Sequence, residues 1–389
     1  MIERLVEQSA RKVTRKALMA SRCVVLQLLC CLGRKNEQIA RPLVPKRIVA
    51  VRLDRLGDLV LTLPALDGLA DTFPAAQLTV AVRPAFAPLL DMRTGIQKVL
   101  TVPSGDSWRE LGKKLRYLGA DMLVDFSPAG DLMVPRAAAI AEIPIRVGHS
   151  GGGREIFLTD PVKSLSGKMS LLEENSSLVE AIGGRRHLGP PDLPLAPEEG
   201  KIAEELLRQV GFHPGHLRVA VHPGGYYPSQ RYPLERFADV SRRLIERRGG
   251  KVVLLGGPAD EELTATLHRE LGSLSILVTT RNIRQLGAIM SRCDILLANN
   301  SGPVHLASAV GLPAVSVMGP TDPARFTPVG RTNRVLRRHD LPCSPCGRGA
   351  CARHECLRGI PAGDLFNAAD EMIEEFHRPA EMIEGDRGA

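Results

Sequence analysis

The chain has 389 residues, is 44% hydrophobic, carries a formal net charge of +8 and has only 4% aromatic residues. A chain this long exceeds the size at which one core stops growing, so two domains are expected. Scarce aromatics argue against a nucleic-acid binder built on stacked bases, while the positive balance fits an anionic partner: a nucleotide, a phosphorylated lipid or an acidic membrane surface.

Eight cysteines are too few for a disulfide scaffold, which makes a reducing compartment the simpler assumption. Residues 1–46 read as an extension. On a helix, Arg4, Arg11, Arg15 and Arg22 share one side, and Ile2, Val6, Val13, Ala17, Ala20 and Val24 fall opposite. Such a helix can lie in a membrane interface with its arginines among anionic headgroups; the alternative is a helix packed on the protein's own body. The apolar stretch Cys23 to Leu32 is too short to span a bilayer, and charged residues follow where a signal peptide would place a cleavage site.

Residues 47–195 read as the first domain. Ile48 to Leu53, Leu78 to Val82, Lys98 to Val102, Met122 to Phe126 and Ile143 to Val147 are expected strands, with helices over 108–118 and 131–141 between them. Strands alternating with helices imply a mainly parallel, doubly wound sheet. Gly57 permits a tight turn after the opening strand and delivers Asp58 to the sheet's carboxyl edge, where ligands collect; Asp58 is there for chemistry or as a helix cap. Asp125 and Asp131 stand at the same edge with the same two readings. Gly151 to Arg154 reads as a flexible loop that could serve a large acceptor, or as a surface turn. Four prolines within 188–197 mark the domain boundary.

The second domain, 196–376, repeats the alternation: a helix over 199–210, then strands at Val219 to Val221, Val252 to Leu255, Ile276 to Thr279, Ile295 to Ala298 and Ala314 to Val317. His222-Pro223-Gly224-Gly225 follows the first of these, and bare backbone at Gly224 and Gly225 would let a phosphate approach. Asn300-Ser301-Gly302 opens a helix whose free amides would face a diphosphate, and His305 lies one turn further along. Arg231 and Lys251 add positive charge, and Asp260 could bond a sugar hydroxyl or cap its helix.

Together these motifs resemble glycosyltransferase family 9, the lipopolysaccharide heptosyltransferases. The run Arg52-Leu53-Asp54-Arg55-Leu56-Gly57-Asp58-Leu59-Val60-Leu61-Thr62-Leu63-Pro64 is similar to the family's opening. His222-Pro223-Gly224-Gly225, Tyr232-Pro233-Leu234, Leu255-Gly256-Gly257-Pro258, Asn300-Ser301-Gly302-Pro303-Val304-His305 and Met318-Gly319-Pro320-Thr321 match its later motifs in order.

The resemblance implies a GT-B fold: two Rossmann-like domains facing across a cleft, the first binding acceptor and the second the nucleotide-sugar donor, with no metal needed for catalysis. It assigns Asp58 as catalytic base, with Gly57 and Thr62 on the acceptor side. His222, Gly224, Gly225, Gln230, Arg231, Asp260, Asn300, Ser301, Gly302 and His305 fall on the donor side. The implied reaction is inverting transfer of heptose from ADP-heptose to the lipopolysaccharide core at the cytoplasmic face of the inner membrane. Two departures keep alternatives open: Gln230 stands where relatives often have lysine, and Asn300 where many have aspartate. Another nucleotide-sugar donor, a protein acceptor, or a protein that binds without turning over are those alternatives.

Cys343, Cys346, Cys351 and Cys356 fall within fourteen residues and could hold structural zinc or iron, stay reduced, or pair as disulfides. Residues 362–376 read as an amphipathic helix that the GT-B resemblance sends back to the first domain, and 377–389 as a disordered tail.

Overall fold

The computed structural model describes residues 44–376 apart from 166, 214 and 281. The expected helix within 1–46 and the tail at 377–389 lie outside the described residues. Six strands form the first sheet: β1 (Arg47–Arg52), β2 (Gln77–Val82), β3 (Lys98–Thr101), β4 (Met122–Asp125), β5 (Ile145–His149) and β6 (Asp160–Val162). Six form the second: β7 (Arg218–His222), β8 (Lys251–Gly256), β9 (Ser275–Thr279), β10 (Ile295–Asn299), β11 (Ala314–Val317) and β12 (Asn333–Leu336).

The spatial orders are β3-β2-β1-β4-β5-β6 and β12-β11-β10-β7-β8-β9, every pairing parallel. Both are the Rossmann order, and the sheets match the GT-B expectation. Parallel sheets are covered on both faces, so their strands are continuous apolar runs rather than alternating ones. Ile48 to Val51 and Val252 to Leu255 meet this demand, each residue being at most 1% exposed.

Local signals set the helices. Ser107 caps the helix Trp108–Leu118: its hydroxyl accepts from the Glu110 amide, and the Glu110 carboxylate accepts from the Ser107 amide at 2.6 Å. Gly119, at φ 57°, ends it. The second expected helix runs only over Met133–Ile140, because Asp131 turns its carboxylate onto the Met133 amide at 2.7 Å and so lies in the turn ahead of the N-cap, Leu132.

Two edge strands, β6 and β12, escape the pattern. Their sequences, Asp-Pro-Val and Asn-Arg-Val-Leu, suit edges, where one ladder is unmade and proline or charge is tolerated. The helix Ala362–Phe376 does not return to the first domain. Its Leu365, Phe366, Ala369, Met372 and Ile373 complete the apolar core of the second, and Arg248 fastens it there through Asp370 at 2.6 Å and Glu374 at 2.8 Å.

The triple-glycine loop is shaped to bury the arginine that follows it. Gly151, Gly152 and Gly153 all take positive φ, which lets the chain turn Arg154 fully inward. There its guanidinium donates to the carbonyls of Ser127 and Pro128, each at 2.9 Å, and pairs with buried Asp125. Asp125 is therefore a buried ion-pair partner rather than a ligand or a simple turn residue.

Candidate active site

Ligands of open parallel sheets bind where the strand order reverses, beyond the strands' carboxyl ends. Here those points lie between β1 and β4 in the first sheet and between β7 and β10 in the second. Their loops line a cavity of about 850 Å³, which brings Gly57, Asp58, His222, Gly225, Gln230, Arg231, Asp260, Asn300, Ser301, Gly302 and His305 together. Two of the expected residues do not line it. Gly224 lies beneath, where an added Cβ would stand 2.2 Å from an Asp260 oxygen. Thr62 is fully buried: its hydroxyl donates to the Asp58 carbonyl at 2.7 Å and accepts from the Asn175 amide at 3.0 Å, so it supports the turn from behind. Lys251 begins β8, at the end of the strand away from the cavity.

Asp58 both caps and faces the cavity, so the two sequence readings of it coexist. One oxygen accepts from the Arg55 amide at 3.4 Å as a capping residue of the helix Leu56–Val60, and the other lies 3.4 Å from the Arg52 guanidinium. Arg52 is 3% exposed; it also meets Asp54 at 3.1 Å and donates to the Phe126 carbonyl. Burial pushes the Asp54 carboxyl up to about 6, with Arg52 opposing and Asp58 adding to the rise.

The second-domain wall is built from loops that buried Asn299 stitches together. Its side-chain amide donates to the carbonyls of Pro223 at 2.8 Å and Gly224 at 2.9 Å, and its oxygen accepts from the Tyr232 amide at 2.8 Å. His222 approaches Asp260 at 3.4 Å. Burial raises the Asp260 carboxyl, but the His222 imidazole, the Gly257 amide and Arg231 together outweigh it and hold the group below its usual value. Gln230 donates to the Thr321 hydroxyl at 3.2 Å, Arg231 to the Gly225 carbonyl at 3.0 Å, and Asn300 to the Phe326 carbonyl at 3.0 Å.

The walls meet where the helices Leu56–Val60 and Gly302–Ala309 touch. A Cβ on Gly57 would lie 2.8 Å from the His305 ring and 3.2 Å from the Gly302 Cα, and one on Gly302 3.0 Å from the Leu56 Cβ. Both glycines are needed for this approach. Burial drives His305 down to about 4, with Asp58 opposing, so its imidazole is neutral. Arg55 crosses the cleft to lie 3.9 Å from the centre of the Tyr226 ring.

A second cavity of about 410 Å³ shares Asp54, Arg55, Asp58 and Phe326 with the first, and adds His149, Glu174 and Arg325. Sequence reading did not single out these three residues, nor Arg52, Asp54, Arg55, Asn299 and Thr321 as individual site residues. The signal for Arg52, Asp54, Arg55, Asn299 and Thr321 was their place beside the motif residues. His149, Glu174 and Arg325 had none.

Cys343, Cys346, Cys351 and Cys356 are free thiols, and among the described residues no three His, Cys, Asp or Glu side chains converge as a metal site requires. The cysteine segment instead packs by its backbone on the cavity loops: the Cys346 and Gly347 amides donate to the Pro320 carbonyl, and the Ser229 hydroxyl to the Arg348 carbonyl.

The model of glycosyltransferase family 9 (heptosyltransferase) matches residues 108–356. Lipooligosaccharide heptosyltransferase 2 of Haemophilus influenzae is 24% identical over 304 residues, 72% of this chain and 86% of that one. Lipopolysaccharide heptosyltransferase 1 of Pseudomonas aeruginosa is 22% identical over 324 residues, 78% and 87% of the two chains. Among solved structures, Escherichia coli ADP-heptose lipopolysaccharide heptosyltransferase II superposes with a TM-score of 0.72 at 21% identity, covering 85% of this chain and all of that one.

Proposed function

Because the chain belongs to glycosyltransferase family 9 (heptosyltransferase), we propose that it transfers heptose from ADP-heptose to the inner core oligosaccharide of lipopolysaccharide. The observation that carries this reading is the placement of Asp58. Its carboxylate, like that of Asp54, lines both cavities, and it stands where a donor held by the second domain and an acceptor held by the first would meet.

Asp58 takes the proton from an acceptor hydroxyl as that oxygen attacks the anomeric carbon, in one displacement that inverts the centre. Negative charge then grows on the departing diphosphate. The amides at Ser301 and Gly302 begin the helix Gly302–Ala309 and stand outside its own hydrogen-bond ladder, so they and its dipole meet that charge together with Arg231. These groups let the step proceed without a metal. His222, Gly225, Gln230, Asp260 and Asn300 position the donor, and neutral His305 lies against the turn that presents the base. The first domain takes the acceptor.

Among the described residues no helix is long and apolar enough to cross a membrane. The acceptor is anchored in lipid, and the arginines at positions 4, 11, 15 and 22 suit contact with the anionic cytoplasmic surface of the inner membrane. Titration with ADP, followed by turnover assays on an ADP-heptose and acceptor mixture, tests the assignment. Asp58→Asn is expected to bind ADP like the parent and to lose at least about a hundredfold in transfer. Transfer near the parent's rate in that variant would remove Asp58 as the base.

A further inference from the structure

We propose that Arg55, on the first-domain turn that carries Asp58, reaches across the cleft to bind the sugar-bearing phosphate of the donor, which is the terminal phosphate of ADP. This rests on the transferase reading and extends it, because the leaving group then becomes a contact of both domains.

Backbone contacts put Arg55 beside the groups that face the diphosphate. A Cβ on Gly302 would stand 3.0 Å from the Leu56 Cβ and 3.2 Å from the Gly57 nitrogen, so the residue just ahead of Leu56 starts within a side chain's length of the free amides at Ser301 and Gly302. From there its guanidinium extends to the Tyr226 ring, 3.9 Å from the centre. Tyr226 directly follows the bare backbone of Gly224 and Gly225. The ring is itself braced. Tyr227 meets it edge to face, 4.7 Å between centres, and lies against Gly349, where an added Cβ would be 2.8 Å from the Tyr227 ring.

The charge inventory leaves this cation available. Arg55 and Arg231 are the arginines among the residues lining the larger cavity, beside the carboxylates of Asp54, Asp58 and Asp260. Asp54 and Asp58 are paired with Arg52, and Asp260 faces His222. Arg231 spends one donor on the Gly225 carbonyl. Among the described residues the Arg55 guanidinium has ring contacts, with Tyr226 and with Tyr227 at 5.9 Å, and no carboxylate or carbonyl partner. Stacking engages the face of a guanidinium and leaves its N–H edges pointing outward, which fixes the cation without consuming the donors that a phosphate needs.

Such a cation acts on the departing group. As the acceptor oxygen bonds to the anomeric carbon and Asp58 takes the proton, the carbon–oxygen bond to the phosphate breaks and its electron pair stays on that phosphate. Arg55 meets the charge where it grows, already in place and with no reorganisation at the moment of reaction.

Calorimetric titration of the full-length protein with ADP and with AMP tests this, because AMP lacks the phosphate in question. Arg55→Met is expected to weaken ADP about tenfold or more and to leave AMP within about twofold of the parent. Arg55→Lys keeps the charge but loses the planar stack, and should fall between the two. Tyr226→Leu should weaken ADP about threefold and again spare AMP. In turnover, Arg55→Met should lower kcat at least about tenfold with the acceptor's KM unchanged. Equal losses for ADP and AMP would make Arg55 a structural prop, and an unchanged ADP affinity would remove it from the donor site; either result overturns the proposal. The titrations need no transfer, so an ADP-selective loss in a protein that moves no heptose upholds Arg55 and sinks only the heptosyl reading. Heptose transfer by the parent with ADP affinity untouched in Arg55→Met would sink only Arg55.

Discussion

Arg52 ties two carboxylates of unequal character, and their inequality is testable. Asp54 lines the same two cavities as Asp58, and burial raises its carboxyl to about 6. A carboxyl whose folded value exceeds its unfolded one favours the fold while protonated and costs stability as pH rises through the interval between the two. Between pH 3.8 and about 6 the parent should therefore lose up to about 3 kcal/mol that Asp54→Asn does not lose. Urea unfolding of both proteins at pH 4 and pH 7 measures this; an unchanged difference between them would mean that Asp54 is not held protonated. At the same scale, the sequence made Asp58 legible because glycine and carboxylate stand together after a strand. It left Asp54 and Arg52 unremarked because pairing through one guanidinium leaves no trace in spacing. His149 was invisible for a related reason: its partner carbonyl is twenty-five residues away on a different element.

Loops at the sheet edges depend on single buried amides and bare backbone. Asn299 satisfies two carbonyls of the His222–Gly225 loop and one amide of the next, so Asn299→Ala should cost about 2–4 kcal/mol of stability and weaken ADP binding together. Chemical denaturation paired with ADP titration checks it; a variant with parent stability would show that water replaces the amide. The helix contact across the cleft makes a different demand. Gly57→Ala would place a methyl against His305 and the Gly302 backbone, so transfer should fall at least about tenfold while thermal unfolding moves little. Full activity in Gly57→Ala would mean that the two helices need not approach this closely during turnover. Elements themselves were legible where burial on both faces forces apolar runs, as in β1, β4, β7 and β10. They were not in β6 and β12, short edge strands whose Asp-Pro-Val and Asn-Arg-Val-Leu carry no continuous apolar run. The triple glycine read in sequence as a flexible loop or a surface turn, and what it serves, the burial of Arg154, rests on contacts with residues some thirty positions earlier.

Two Rossmann-ordered sheets set their switch points toward one cleft, and contacts from several elements cross it, among them Arg284 donating to the Asp91 carbonyl at 3.0 Å. Gly57 meets Gly302 and His305, Arg55 reaches Tyr226, and Glu174 pairs with Arg325. The two parallel sheets and the motifs at the carboxyl edge of the second were readable from sequence because each motif is contiguous and sits at a strand end. The smaller cavity was read only as far as the Asp58 turn, since its remaining residues include ones from β5, from the helix Leu171–Ala181 and from the opposite domain. Docking of the last helix also went against the resemblance, because its apolar face and its carboxylates complement the helix Leu234–Arg248. The most direct test of the central claim incubates the purified protein with ADP-heptose and heptose-deficient lipopolysaccharide core, then measures acceptor mass and the anomeric configuration of the new linkage. The account predicts a heptose-sized gain with inverted configuration, absent in Asp58→Asn. A product of retained configuration, or an acceptor unchanged in mass while ADP still binds, would contradict it.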